Sequence, residues 1–316
     1  MRMQISRLID QRSRQRIPAR RLSRKWICSI TLALVALAPS ALCADTVAPL
    51  QTAGLRALVD QANRLEPAGP IDGGNSFSAY LVAYRHAGLR LHALVAVPLT
   101  PPPPQGYPVL VANHGFHPDP PRYGITPEGR NWRPGNYYRP VPAAYAAAGF
   151  LVVMPDYRGH NVSEGREFTT SPLASAYYAE DVVALLAAMD TIDHADTHNV
   201  FMWGHSMGGP VTIEAALAVV GSRVHVRGAS LWSTVATTQR LADLTIPLLL
   251  QHALGDKSTD HRNSAELASA LAALGKAASL YSHSGSDHFF AGAQFDTAVA
   301  RDIDFFRSLM ATNGPR

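Results

Sequence analysis

Five short, unbroken apolar runs punctuate the middle of the chain: VLVAN (109–113), FLVVMP (150–155), NVFMW (199–203), VRGASLW (226–232) and IPLLLQH (246–252). Strands this uniformly apolar are buried on both faces, as they are in a sheet covered by helices above and below. The segments between them supply the helices: an alanine-rich stretch near 142–149, then 174–190, 207–220 and 261–274. A further strand near 277–281 and a last helix over about 292–311 follow. This alternation predicts the α/β class, a mostly parallel central sheet with helices on both faces. Ahead of it, AYLVAYR (79–85) and RLHALVAVP (90–98), joined by HAGL, read as a hairpin that adds an antiparallel edge. In such sheets ligands sit beyond the carboxyl ends of the strands, so chemistry is expected from residues just after them.

The N-terminus reads differently. Residues 1–25 are strongly basic, residues 26–42 (WICSITLALVALAPSAL) are almost entirely apolar, and small residues follow at Ala41, Cys43 and Ala44. That is the pattern of a secretory signal peptide cleaved near residue 44. The apolar run is near the lower length limit for a membrane span and Pro39 interrupts its end, so no stable membrane anchor is expected after cleavage. The expected destination is the periplasm or the medium, by the general secretory or the twin-arginine route. Residues 1–44 hold nine of the 28 Lys+Arg and one of the 24 Asp+Glu, leaving 45–316 with a net charge of −4. The basic balance of the whole chain therefore belongs to the leader, and no basic cluster remains to bind nucleic acid. Both cysteines, Cys28 and Cys43, fall in or at the edge of the leader, so residues 45–316 are expected to form one domain with no disulfide.

WGHSMGGP (203–210) follows one of the apolar strands and opens a helix. A strand that turns sharply into a helix forces the central residue into a strained conformation, and side chains on its neighbours would collide there. Gly204 and Gly208 remove those side chains and leave Ser206 exposed at the sheet's edge, above a helix N-terminus. A serine hydroxyl is a poor nucleophile until a base takes its proton, and the base needs an orienting acid. In this topology the chain order is Ser, acid, His. Asp256 comes directly after IPLLLQHALG at a strand's end, ahead of its rival Asp260 in the following helix. His288, preceded by the flexible SGS stretch, suits the base better than His283, which lies close to its strand. Asp287 reads as a solvated loop carboxylate. The oxyanion of a tetrahedral intermediate needs two backbone donors, for which Met207 and Phe116 are placed; the His114 side chain reads as packing.

These stretches, NHGF (113–116), DYRGHNVSEG (156–165), WGHSMGGP, HALGD (252–256) and GSDHFF (285–290), resemble the α/β-hydrolase superfamily. More narrowly they resemble its dienelactone hydrolase and prolyl oligopeptidase-like branch, over about residues 75–310. The resemblance implies a Ser–Asp–His triad and no metal or organic cofactor. Two departures stand out. Dienelactone hydrolases usually carry a cysteine nucleophile where this chain has Ser206. Prolyl oligopeptidases place a propeller ahead of the catalytic domain, and the residues between leader and hairpin leave no room for one.

Only STVATTQRLADLT (233–245) separates the sixth and seventh core strands, so no large cap domain is expected and the site should be open. The long segment 116–141, rich in proline, aromatics and arginine, is the remaining candidate to shape substrate access, through Trp132 and Tyr137. Trp232, at the end of its strand, is a third candidate for the cleft wall. The expected activity is that of an exported serine hydrolase, a carboxylesterase acting on a small-molecule or polymeric ester. A prolyl oligopeptidase-like peptidase and a polyester or cell-wall ester hydrolase stand as alternatives. A non-catalytic binding protein on this fold would typically lack a triad member, and none is missing here.

Overall fold

The computed structural model describes residues 52–59, 63–124, 138–235 and 240–310. They fall in one compact unit that runs from Thr46. Nine strands form a single sheet: β1 (Glu66–Ile71), β2 (Phe77–His86), β3 (Leu89–Pro98), β4 (Tyr107–Asn113), β5 (Leu151–Asp156), β6 (Ala195–His205), β7 (Val226–Trp232), β8 (Leu248–Ala253) and β9 (Ala278–His283). Their order is β1-β2-β3-β5-β4-β6-β7-β8-β9. The β2–β3 hairpin is antiparallel and joins β5 antiparallel, whereas every pairing from β5 to β9 is parallel. Strand β1, which has no apolar run to announce it, extends the antiparallel edge.

The helices are α1 (Thr52–Val59), α2 (Pro140–Ala147), α3 (Ala174–Leu186), α4 (Gly208–Ala218), α5 (Arg262–Ala273) and α6 (Ala293–Ser308). Alternate strand residues split between two cores. Val109 and Val111 of β4 pack with α3 and α4 through Val183, Leu186 and Ile213. Leu110 and Ala112 face the other way, toward Tyr145 of α2 and Phe306 of α6. Helices therefore cover both faces of the sheet, which is why the strands read as continuous apolar runs and not as alternating ones. Residues 233–247 are all that lies between β7 and β8, with no large cap among those described.

Helix α6 carries one residue that an apolar stripe does not explain. Phe295, Ala298, Val299, Asp302 and Phe306 share its buried face. The Asp302 carboxylate accepts hydrogen bonds from Ser230 Oγ (2.6 Å), Tyr145 Oη (2.6 Å), Gln251 Nε2 (2.7 Å) and Trp232 Nε1 (2.9 Å). One side chain thus ties α6 to α2, β7 and β8. Burial pushes its pKa up to about 7 against the opposing pull of the four donors. Asp302→Leu keeps the bulk and strands those four donors in the core. Each unsatisfied group costs about 1–3 kcal/mol, so a loss of about 3 kcal/mol or more is expected in urea unfolding. An unchanged midpoint would mean that the donors find other partners.

Candidate active site

The turn from β6 into α4 holds Ser206 in a left-handed conformation, φ 55°, which a side-chain-bearing residue adopts only where the surroundings impose it. Its N–H donates to the Trp232 carbonyl (2.9 Å), and its own carbonyl accepts from Gly209 N–H (3.0 Å). The glycines around it are there for close approach. A Cβ on Gly208 would run into the carbonyl of Asn113, one on Gly204 into Gly208 O and Thr212 Oγ1, and one on Gly209 into Thr234 Oγ1. Asn113 is also the last residue of β4, and its Nδ2 donates to Thr212 Oγ1 (2.8 Å) on α4. That contact draws the segment after β4 against the serine.

Ser206 opens into a cleft of about 440 Å³ lined by Gly115, Phe116, Tyr138, Met207, Thr259 and His288, among others. His288 Nδ1 lies 2.7 Å from Asp256 Oδ2. The Asp256 carboxylate also accepts the N–H groups of Ser258 (2.7 Å) and Thr259 (3.1 Å), and the Thr259 hydroxyl oxygen lies 3.1 Å from it. Burial alone would raise its pKa; the hydrogen bonds from His288 and from the Thr259 and Ser258 amides outweigh that and hold it below the ordinary carboxylate range. It is therefore an anion at neutral pH, able to fix the tautomer of His288. Ser206 Oγ makes no hydrogen bond among the described residues, His288 included; such contacts commonly tighten only when substrate is bound. Phe116 and Met207 both line the cleft, and neither main-chain amide is engaged by an acceptor among the described residues.

The rival residues have other employment. Asp260 is exposed and paired with Arg262 (2.7 Å). His283 is buried at the end of β9 with Nε2 3.0 Å from Gln251 Oε1. The His114 ring packs against Tyr157, Tyr123 and His160. Asp287 is exposed as expected, lines the cleft, and accepts the Phe289 N–H (3.0 Å). One expectation needs correction: Trp232 does not border the cleft. Its side chain is fully buried, with its indole N–H on Asp302 and its ring against Trp203, Phe290 and Phe295. A tryptophan at a strand's end can turn to the core as readily as to the cleft, and here a buried carboxylate decides it. Trp132 and Tyr137 lie outside the described residues.

Four neighbours of the site escaped the sequence reading. His252, four residues before Asp256, is fully buried with Nε2 3.3 Å from Asp256 Oδ2 and 3.1 Å from the Thr259 carbonyl; a histidine inside LLLQHA was its only signal. Thr259 contacts Asp256, His252 and His288 at once. Tyr138 reaches His205, which stood unremarked inside the serine motif.

A strained serine, an imidazole oriented by a carboxylate and two open amides form a set able to carry out acyl transfer through a covalent intermediate. The sheet that carries them has the α/β-hydrolase fold, and the set is one that a serine hydrolase would use. Residues 128–233 match the family model described as serine aminopeptidase, S33. No curated protein matches the sequence. Solved structures similar in fold include dipeptidyl peptidase 4 of Porphyromonas gingivalis, at 16% identity and TM-score 0.60 over 75% of this chain and 36% of that one. An acylaminoacyl peptidase of Pyrococcus horikoshii matches at 14% identity and TM-score 0.59 over 77% of this chain and 43% of that one. An acetyl xylan esterase of Paenibacillus sp. R4 matches at 16% identity and TM-score 0.59 over 82% and 93%. The chain thus spans well under half the length of the two peptidases and nearly all of the esterase.

Asp256→Asn should lower kcat by about 10³–10⁴, because the amide holds the wrong tautomer of His288, whereas Asp260→Asn should stay within about twofold. Steady-state rates on any turned-over substrate check both; the reverse order would reassign the acid.

Proposed function

We propose that the protein is an exported carboxylesterase working through Ser206, His288 and Asp256. Ser206 Oγ attacks the ester carbonyl while His288 takes its proton. The tetrahedral oxyanion is held by the amides of Phe116 and Met207. Collapse expels the alcohol, which receives the proton from His288, and leaves an acyl-Ser206. Water, deprotonated by the same imidazole, then releases the acid. Asp256 stays ionised throughout and compensates the imidazolium.

The observation that carries the reading is the left-handed Ser206 in the same cleft as a hydrogen-bonded His288–Asp256 pair. Ester rather than peptide substrates are favoured by the cleft's walls. Phe116, Tyr123, Tyr138 and Phe289 dominate them, and Asp287 is the one acidic side chain among the described lining residues, so no paired carboxylates stand ready to hold a substrate ammonium. A peptidase is the second reading, favoured by the family model over 128–233.

A panel of p-nitrophenyl esters of rising acyl length, run beside aminoacyl p-nitroanilides, decides between them. Esters should be turned over with kcat/KM at least about 10²-fold above any anilide, and preference for an anilide would reject the proposal. Ser206→Ala should remain folded and lose about 10⁴–10⁶ in kcat. Export rests on the leader: protein recovered from the periplasm or medium should begin near Ala44 or Asp45 by mass spectrometry, and a full-length membrane-bound product would overturn it.

A further inference from the structure

Between the oxyanion segment and the loop of the base lies a buried chain of three hydrogen bonds. Gly115 N–H donates to Tyr138 Oη (2.8 Å), Tyr138 Oη lies 2.6 Å from His205 Nδ1, and His205 Nε2 lies 2.9 Å from the carbonyl of His288. Proton positions follow from chemistry. A carbonyl only accepts, so the proton on His205 is at Nε2. The ring is fully buried, and that burial, with His288 close by, drives its pKa down to about 3, so it is neutral at working pH. Nδ1 is then bare and must accept from the Tyr138 hydroxyl. Every bond runs in one direction, and the link at each end is main chain.

The position of this relay matters more than its length. Gly115 is the residue before Phe116, which lines the cleft, and His205 is the residue before Ser206. A methyl group on Gly115 would already meet Tyr138 Oη at 2.9 Å and Ser206 Cβ at 3.0 Å, so these groups are at packing distance. The rings are held as tightly. His205 packs against His288 (centroids 4.6 Å), Tyr138 against Phe289 (5.1 Å), and His205 against the same Phe289 (5.0 Å). The side chain next to Ser206 therefore holds, through one tyrosine, the amide of Gly115 just ahead of Phe116 and, directly, the backbone of His288.

We propose that Tyr138 and His205 are positioning residues that hold the oxyanion amide of Phe116 and the imidazole of His288 in register about Ser206. The proposal rests on the serine-hydrolase reading of this site. Neither side chain exchanges a proton with substrate; each acts by placing groups that do. Misplacement of such groups by about 1 Å costs on the order of 10²-fold in rate, and it falls on the chemical step and not on ground-state binding.

The test separates positioning from packing. Tyr138→Phe removes one oxygen and keeps the ring. His205→Gln offers an amide oxygen and N–H that can replace the bare Nδ1 and the Nε2–H, while His205→Leu fills the space with neither. Each variant is followed by the rate of covalent labelling with a fluorophosphonate, which needs no knowledge of the natural substrate, and by kcat and KM on p-nitrophenyl acetate. Tyr138→Phe and His205→Leu should label and turn over about 30- to 300-fold more slowly with KM within about threefold, and His205→Gln should recover to within about tenfold of wild type. The double variant Tyr138→Phe/His205→Leu should be no worse than the poorer single, as members of one relay are. Wild-type protein that fails to label would sink the serine-hydrolase reading itself. Labelling of wild type with Tyr138→Phe equally fast, or His205→Leu more active than His205→Gln, would overturn the relay alone. Should Tyr138→Phe fail to fold, the order of the two His205 variants still decides.

Discussion

The structure turns on a contact in which a side chain has no room: Gly208 against the carbonyl of Asn113. It lets the first turn of α4 lie directly over the end of β4, so that the strand carrying the oxyanion segment and the helix following the nucleophile share one edge of the sheet. The left-handed Ser206 is a consequence of that approach. The chain must leave β6 and enter α4 within two residues, and no ordinary conformation turns it so sharply. A substitution at 208 would therefore push apart the segment that supplies one amide and the turn that supplies the serine, with nothing lost in side-chain chemistry.

The second requirement is electrostatic selection among histidines. His114, His160, His205 and His252 all lie within the packed surroundings of the site, and burial drives each of their pKa values down, to about 4 for His160. Neutral rings can serve as fixed donors and acceptors without adding charge near the serine. His252 and His288 both approach Asp256 Oδ2, at 3.3 and 2.7 Å. What distinguishes them is access: the His252 side chain is fully buried with its Nε2–H on the Thr259 carbonyl, while that of His288 is 21% exposed and opens to the cleft. One carboxylate thus orients an imidazole that opens to the cleft and is itself braced by one that does not.

Sequence made the sheet legible because strands buried on both faces leave an unmistakable apolar signature, and the serine legible because only a tight strand–helix turn demands glycine at both 204 and 208. Asp256 and Asp260 could be ranked by their distance from the strand end alone. Strand β1 was not legible: Glu66–Ile71, with two prolines, has no buried residue and is ordered by its pairing with β2. The roles of Tyr138, His205 and Thr259 were hidden for a related reason. Each depends on partners brought from distant segments, 67 residues apart for Tyr138 and His205, and a hydroxyl or imidazole carries no mark in sequence of which distant group it will meet. Trp232 was misjudged on the same ground, since its orientation is set by Asp302, 70 residues away.

Trp232 nonetheless belongs to the site, through its main chain. Its carbonyl holds the Ser206 N–H at 2.9 Å, and the carbonyl of the next residue, Ser233, accepts the Thr259 hydroxyl at 2.9 Å, which in turn touches Asp256. Two successive carbonyls at the end of β7 therefore hold the nucleophile on one side and the acid's loop on the other. Ser233 has a positive φ of 46°, and its N–H is tied to Gln251 O at 2.8 Å, so the kink that aims the two carbonyls apart is fixed to β8. Gln251 and the Trp232 indole both donate to Asp302. The buried carboxylate of α6 thus fixes the strand ends from which serine and acid are hung, and the spacing of the triad is inherited from the core beneath it.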